Sequence, residues 1–156
     1  MMRRLFFLSL TAATLVSFCA RAEDSVPAVA NPLVQKECGT CHMAFQPAFL
    51  PERSWNRIMD SLSNHFGETI TLPSDTARKI RSFLTENAAD TTLRGLGRHA
   101  LRGLSSDDTP TRITETPAFL RKHDFPDRVW KNPKVVTLSN CPACHLAADK
   151  GIYEDD

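Results

Sequence analysis

Cys38-Gly39-Thr40-Cys41-His42 near one end of the chain and Cys141-Pro142-Ala143-Cys144-His145 near the other are the same pentapeptide, Cys-x-x-Cys-His, used twice. Two thiols at this spacing lie on one face of a helical turn, where each can add to one vinyl group of the same porphyrin. The histidine next in line then reaches the iron from the proximal side. Each stretch therefore reads as an attachment site for c-type haem. Together the two motifs use every cysteine of the chain except Cys19.

Other uses of paired cysteines explain less. A zinc site built from two such pairs separates them by roughly 15–20 residues, whereas most of this chain lies between Cys41 and Cys141. A thioredoxin-like redox pair needs a βαβ setting, and no such pattern occurs. Structural disulfides suit an exported protein, but they give no reason for a histidine at the end of both motifs.

The N-terminus points to export. Arg3 and Arg4 precede an apolar run from Leu5 to Ala20, and Ala20-Arg21-Ala22 is an A-x-A cleavage pattern, so residues 1–22 read as a signal peptide cleaved after Ala22. The mature chain then begins at Glu23, in the periplasm, where covalent attachment of haem c takes place in bacteria. A retained membrane anchor competes with this reading, but the apolar run is short for a spanning helix. A lipoprotein signal at Cys19 is weaker again, because bulky Phe18 precedes it. Cys19 leaves with the leader, and the mature protein keeps two cysteines for each haem.

The whole chain of 156 residues carries 19 Lys+Arg and 18 Asp+Glu. Loss of Arg3, Arg4 and Arg21 leaves a slight acidic excess. Such a balance gives no support for nucleic-acid binding. Residues 23–156 suffice for one compact domain or two small ones, and two buried porphyrins would add core that side chains do not supply.

Along the mature chain, residues 23–31 read as a flexible lead-in. A short helix from Pro32 to His42, with proline in its first turn, delivers the first motif, and residues 46–51 form a loop over the haem edge. Trp55, Ile58, Met59, Leu62 and Phe66 recur at helical spacing, predicting one helix from Pro51 to Phe66 that Gly67 ends. His65 falls on the edge of that stripe. Ser74 is placed as the cap of a further helix to about Ala89, with Ala77, Ile80, Leu84 and Ala88 inward. A Gly- and Arg-rich segment, Arg94 to Gly103, and a polar loop, Ser105 to Pro110, then mark a boundary. The predicted organisation is an N-terminal haem module over residues 23–104 and a C-terminal one over 105–156. Arg94, Arg98 and Arg102 lie four apart, suited to haem propionates, an acidic partner or a solvated face. In the C-terminal part, Thr116 caps a short helix with Pro117 at its first position, ending near His123. Pro126 and Pro133 break the next stretch, and Ser139 or Asn140 is placed as the cap of a helix carrying the second motif. No strand pattern longer than Lys134 to Leu138 appears, so the predicted fold is mainly α with haem-wrapping loops.

These stretches resemble the small bacterial dihaem cytochromes c of the DHC type. The matching residues are the first pentapeptide; Trp55 with Asn64-His65-Phe66-Gly67-Glu68; Arg112-Ile113-Thr114-Glu115-Thr116-Pro117 with His123; the second pentapeptide; and the closing Gly151-Ile152-Tyr153-Glu154-Asp155. The resemblance covers nearly the whole mature chain. It implies a class I cytochrome c-like helical N-terminal module, an irregular C-terminal haem-binding segment, two covalently bound haem c groups and two histidine ligands on each iron. Ala118 is a departure, standing where the family pattern calls for a larger aromatic residue.

Of the five histidines, His42 and His145 are the proximal ligands, leaving His65, His99 and His123 for two distal positions. His65 follows His42, and His123 precedes His145, by nearly the same length of chain. Local pairing, His42 with His65 and His123 with His145, is therefore the simplest arrangement, and a crossed pairing stays open. His99, in the basic Gly-rich segment, is placed at the surface. Met59 competes as a distal thioether, which would raise the potential, against the family pattern.

Six-coordinate iron with two imidazoles has no open position, and the remaining chemistry is one-electron exchange at the haem edge. The resemblance implies an electron carrier that is reduced by a membrane cytochrome b or another quinol-linked donor and that passes electrons to a small monohaem cytochrome c. The alternative is a haem peroxidase, small-ligand reductase or sensor with one open position. That alternative needs one iron without a distal histidine.

Overall fold

Asn31 starts the first helix: its side-chain oxygen accepts from the backbone N–H groups of Leu33 (3.0 Å) and Val34 (3.3 Å) in the computed structural model. That model describes residues 25–93 and 95–154; the predicted leader with Cys19, the start at Glu23, Arg94 and Asp155 lie outside the described residues. Helix α1, Pro32–Cys38, ends earlier than His42. The N–H of Gly39 closes it on the carbonyl of Gln35 at 3.0 Å, and a side chain at position 39 would collide with that same carbonyl. Only the first cysteine of the motif is helical; residues 39–42 form a turn.

The long predicted helix of residues 51–66 is broken. Helix α2 covers Glu52–Asp60, and a single 3-10 turn, Leu62–Asn64, comes after it. Ser61 stands at the break, where its hydroxyl donates to the carbonyls of Arg57 (2.8 Å) and Ile58 (3.3 Å). Serine bonding of this kind competes with the helical ladder. Phe66 and Gly67 then take positive φ, 56° and 102°, and His65 pairs with Glu68 across a tight turn (2.7 and 3.1 Å). A left-handed aromatic residue is a strained position of the kind found at functional sites.

Helix α3, Ser74–Glu86, packs along α2. Its cap is Pro73, without a side-chain bond, so Ser74 lies inside the helix instead of capping it. The core lies between these helices and the chain around them: Val29, Val34, Leu50, Trp55, Ile58, Met59, Ile80, Leu84 and Ala88 form one buried cluster. Burying a side chain such as Leu50 or Ile80 contributes about 1.5–3 kcal/mol. The Trp55 indole N–H is satisfied by the carbonyl of Pro47 at 2.8 Å, and Arg81 clamps the outer edge, reaching Asn56 and, at 2.7 Å, Asp60. Residues 46–51 are not a plain loop: Pro47–Phe49 is a 3-10 turn, with Gln46 and Leu50 buried on either side of it.

A short helix α4 (Ala89–Thr92) precedes the Gly-rich segment, which itself carries α5 (Gly95–Ala100). Gly97 lets α5 approach the 3-10 turn; a side chain there would lie 3.1 Å from the Ala48 carbonyl. Beyond it, α6 (Pro117–Lys122) starts as the sequence indicates, with Thr116 accepting from the N–H of Phe119 at 3.2 Å. Helix α7, Asp127–Trp130, comes directly after Pro126. The second motif sits on one 3-10 turn, Cys141–Ala143, and Asn140 does not cap it with its side chain. That carboxamide instead donates back to the carbonyls of Lys134 and Val135.

Nor are the described residues of 23–31 a loose lead-in. Val26 and Val29 are buried, and the Val26 N–H donates to the Gly151 carbonyl at 2.9 Å, beside an isolated bridge between Ser25 and Ile152. Gly151, at φ 78°, has no room for a side chain, which would meet the Val26 carbonyl. The beginning and end of the described chain thus hold each other. The fold is helical, with isolated bridges as the β pairing among the described residues.

Candidate haem sites

No disulfide joins the described cysteines; the first of each pair is half-buried (Cys38, Cys141) and the second exposed (Cys41, Cys144). Burial, reinforced by the charge of Glu37, holds the Cys38 thiol above the ordinary range. Burial does the same at Cys141.

The histidines come together in two pairs. His42 and His65 face each other with ring centroids 6.2 Å apart and planes at 22°; His123 and His145 stand 6.1 Å apart with planes at 81°. Two imidazoles on opposite sides of one metal ion, each through a nitrogen bond of about 2 Å, place their centroids roughly 6 Å apart. Both pairs have that separation. Among the described residues no cluster of three or more His, Cys, Asp and Glu converges as a metal site.

The outer ring nitrogens show how each imidazole is held. Nδ1 of His42 lies 2.7 Å from the carbonyl of Met43, that of His123 lies 3.1 Å from the Phe119 carbonyl, and that of His145 lies 3.4 Å from the Glu154 carbonyl. A histidine that donates from Nδ1 to a carbonyl carries its lone pair on Nε2, where it can ligate a metal. At His65, burial lowers the tendency to take a proton, and the charges of His42 and Arg112 add to the effect. A neutral imidazole is the form that ligates iron.

Each of these histidines also has an aromatic neighbour. Phe45 stacks on His42 (4.9 Å), and Phe66 meets His65 edge-on (4.8 Å) while the Arg112 guanidinium lies over the Phe66 ring at 4.0 Å. Phe119 stacks on His123 at 3.9 Å and 10°. Tyr153 meets His145 at 5.4 Å and 62°. The stacking ring of Phe119 is next in sequence to Ala118, where the family pattern calls for a larger aromatic. Sequence reading quoted Phe66 and Tyr153 within family-matching stretches but gave none of the four this role; their one local signal is that Phe45, Phe66 and Phe119 lie within one helical turn of the histidine concerned.

The remaining candidates are elsewhere. His99 is half-buried on α5 and belongs to neither pair. Met59 is buried in the α2–α3 core cluster. Arg98 and Arg102 are exposed.

A buried polar link joins the two sites. Gln46, fully buried and four residues after His42, donates from Nε2 to the Ala148 carbonyl (2.7 Å) and accepts from the Tyr153 hydroxyl (2.6 Å). Burial holds the Tyr153 phenol protonated, far above its usual range. Nothing in the sequence marks Gln46, because its partners lie at the far end of the chain.

A mainly helical chain with two Cys-x-x-Cys-His motifs and two facing histidine pairs defines a c-type cytochrome with two haem sites. The family model for dihaem cytochrome c matches residues 34–153, and the chain belongs to that family. It is accordingly a dihaem c-type cytochrome with two covalently attached haem c groups. Among solved structures it is similar to a dihaem cytochrome c from Rhodobacter sphaeroides, with 45% identity over 82% of this chain and 100% of the other, at a TM-score of 0.74. A second structure, of DHC purified from Rhodobacter sphaeroides, matches at 40% identity over 81% and 99% of the two chains, with a TM-score of 0.66. The dihaem cytochrome type c of Shewanella baltica OS155, sb-DHC, matches at 36% identity over 80% and 87%, with a TM-score of 0.64. No curated protein sequence matches significantly.

Proposed function

We propose that the protein is a periplasmic electron carrier in which each iron has two histidine ligands, paired locally. Cys38 and Cys41 hold one haem, with His42 proximal and His65 distal; Cys141 and Cys144 hold the other, with His145 proximal and His123 distal. The observation that carries this reading is the separation within each histidine pair, 6.2 and 6.1 Å, at which a metal fits between the rings. Bound haem c supplies one-electron exchange between ferric and ferrous iron. The chain supplies the rest. Carbonyls at Nδ1 orient three of the four imidazoles, and a histidine on both faces leaves no position for peroxide or a small ligand. The predicted division at residues 104 and 105 then gives one haem to each module.

Low-temperature EPR of the ferric protein tests the ligation. Near-parallel imidazole planes, as at His42 and His65, produce a rhombic low-spin signal, and near-perpendicular planes, as at His123 and His145, produce a large-g low-spin signal. The expected spectrum contains one of each. A high-spin ferric signal at neutral pH would mean an open position, and the peroxidase, reductase or sensor reading would replace this one.

For partners we propose a membrane cytochrome b or another quinol-linked donor and a small monohaem cytochrome c as acceptor, on family resemblance alone. Stopped-flow mixing of the reduced protein with a ferric small monohaem cytochrome c should show second-order oxidation that slows as salt is raised. No electron transfer at any salt concentration would remove that acceptor.

A further inference from the structure

The closing stretch from Gly151 to Glu154 takes no part in haem attachment, yet its Tyr153 is tied to both sites. On one side its ring meets His145 at 5.4 Å and 62°; on the other it meets the edge of Phe49 at 4.9 Å and 90°. Its hydroxyl donates at 2.6 Å to Gln46, which is fully buried and has its Nε2 on the Ala148 carbonyl. Both polar ends of Gln46 are thus committed to the C-terminal segment, and its backbone to the loop just after His42. The next residue, Glu154, supplies the carbonyl 3.4 Å from Nδ1 of His145. Gly151, two residues earlier, is pinned by the Val26 N–H at 2.9 Å. For each of the other three paired histidines the nearest aromatic neighbour described above is a phenylalanine close by in sequence. His145 is instead braced by a residue hydrogen-bonded to the opposite half of the molecule.

We infer that Tyr153 is a positioning residue: braced by Gln46 and Phe49, it holds the plane of His145 across that of His123 and so sets the ligand field of the second iron. The inference rests on His145 and His123 being the ligands of that iron. A fully satisfied buried network of this kind specifies a single arrangement. Freeing Tyr153 lets the His145 ring turn and loosens its contact with the Glu154 carbonyl. A weaker bond at Nδ1 makes the imidazole a poorer electron donor, which favours ferrous iron.

The test compares Tyr153→Phe, Tyr153→Leu and Gln46→Leu with His145→Met, by ferric EPR and by potentiometric titration of the full holoprotein. His145→Met identifies which EPR signal and which midpoint belong to the second haem. Tyr153→Leu is expected to pull the large-g signal towards a rhombic one and to raise that midpoint, with the first haem's rhombic signal and midpoint unmoved. Tyr153→Phe keeps the ring and loses the hydroxyl, so it should shift the same signal and midpoint in the same direction by less, and Gln46→Leu should match it. If Tyr153→Leu does not mature, the other two variants decide. Variants that only lower stability, leaving signal and midpoint at their wild-type positions, overturn the inference, as does an equal shift at both haems. If His145→Met itself changes neither signal nor midpoint, the ligand assignment fails instead.

Discussion

Residues 25–104 bury Trp55, Ile58, Met59, Ile80 and Leu84 in one cluster between α2 and α3, whereas the buried apolar side chains of residues 105–154 are Val135 and Ala148. The exposed large apolar residues show the opposite distribution. Leu120, Phe125, Val136, Leu138, Leu146 and Ile152 belong to the C-terminal part, against Phe66 and Leu93 in the N-terminal part. Leu146, directly after the second motif, is 81% exposed, and Val136 is 80% exposed with a positive φ of 64°. The N-terminal half has a core of its own into which a haem site is set. The C-terminal half is short helices and turns whose apolar side chains face outward around the second histidine pair. We expect such a segment to depend on its prosthetic group for a core, much as a small domain depends on a structural metal. Polar ties to the other half also hold it: Arg53 donates to the carbonyls of Ser105 and Asp108 at 2.9 and 2.6 Å, and Gln46 reaches Ala148.

The largest expected effect comes from removing covalent attachment in the C-terminal half. In the double variant Cys141→Ala/Cys144→Ala, hydrogen exchange from Thr116 to Tyr153 should approach the unprotected rate while α2 and α3 stay protected. The matching variant Cys38→Ala/Cys41→Ala should keep most of the far-UV helical signal, because its core is made of side chains. Equal loss of protection in both halves after either change would break the comparison.

A smaller effect tests the other side. Trp55 is 6% exposed and bonded to Pro47, so Trp55→Ala should cost about 3–5 kcal/mol in denaturant unfolding followed at α2 and α3. The second haem's low-spin spectrum should persist to a higher denaturant concentration than the first haem's in that variant. If the two spectra are lost together, the halves unfold as one cooperative unit, and the side-chain core serves both.

The chemistry of attachment was legible in the sequence by itself because it is local. A thioether pair and its proximal histidine need five consecutive residues, and the start of α6 needs only Thr116 and Pro117 in succession. The helical class was legible for the same reason, since the spacing of Trp55, Ile58 and Met59 and of Ile80 and Leu84 repeats within one turn of chain. The break at Ser61 was not. An apolar stripe running on to Leu62 and Phe66 carries the same periodicity whether or not a serine hydroxyl captures the carbonyls of Arg57 and Ile58. Only the tertiary structure decided which histidines face each other and at what angle, and which residue braces each ring. It alone joined Gln46 to Tyr153. The tie from Gln46 to Tyr153 spans nearly the whole chain, and even where a ring's neighbour is close in sequence, as Phe45, Phe66 and Phe119 are, packing and no local pattern sets the angle between the rings.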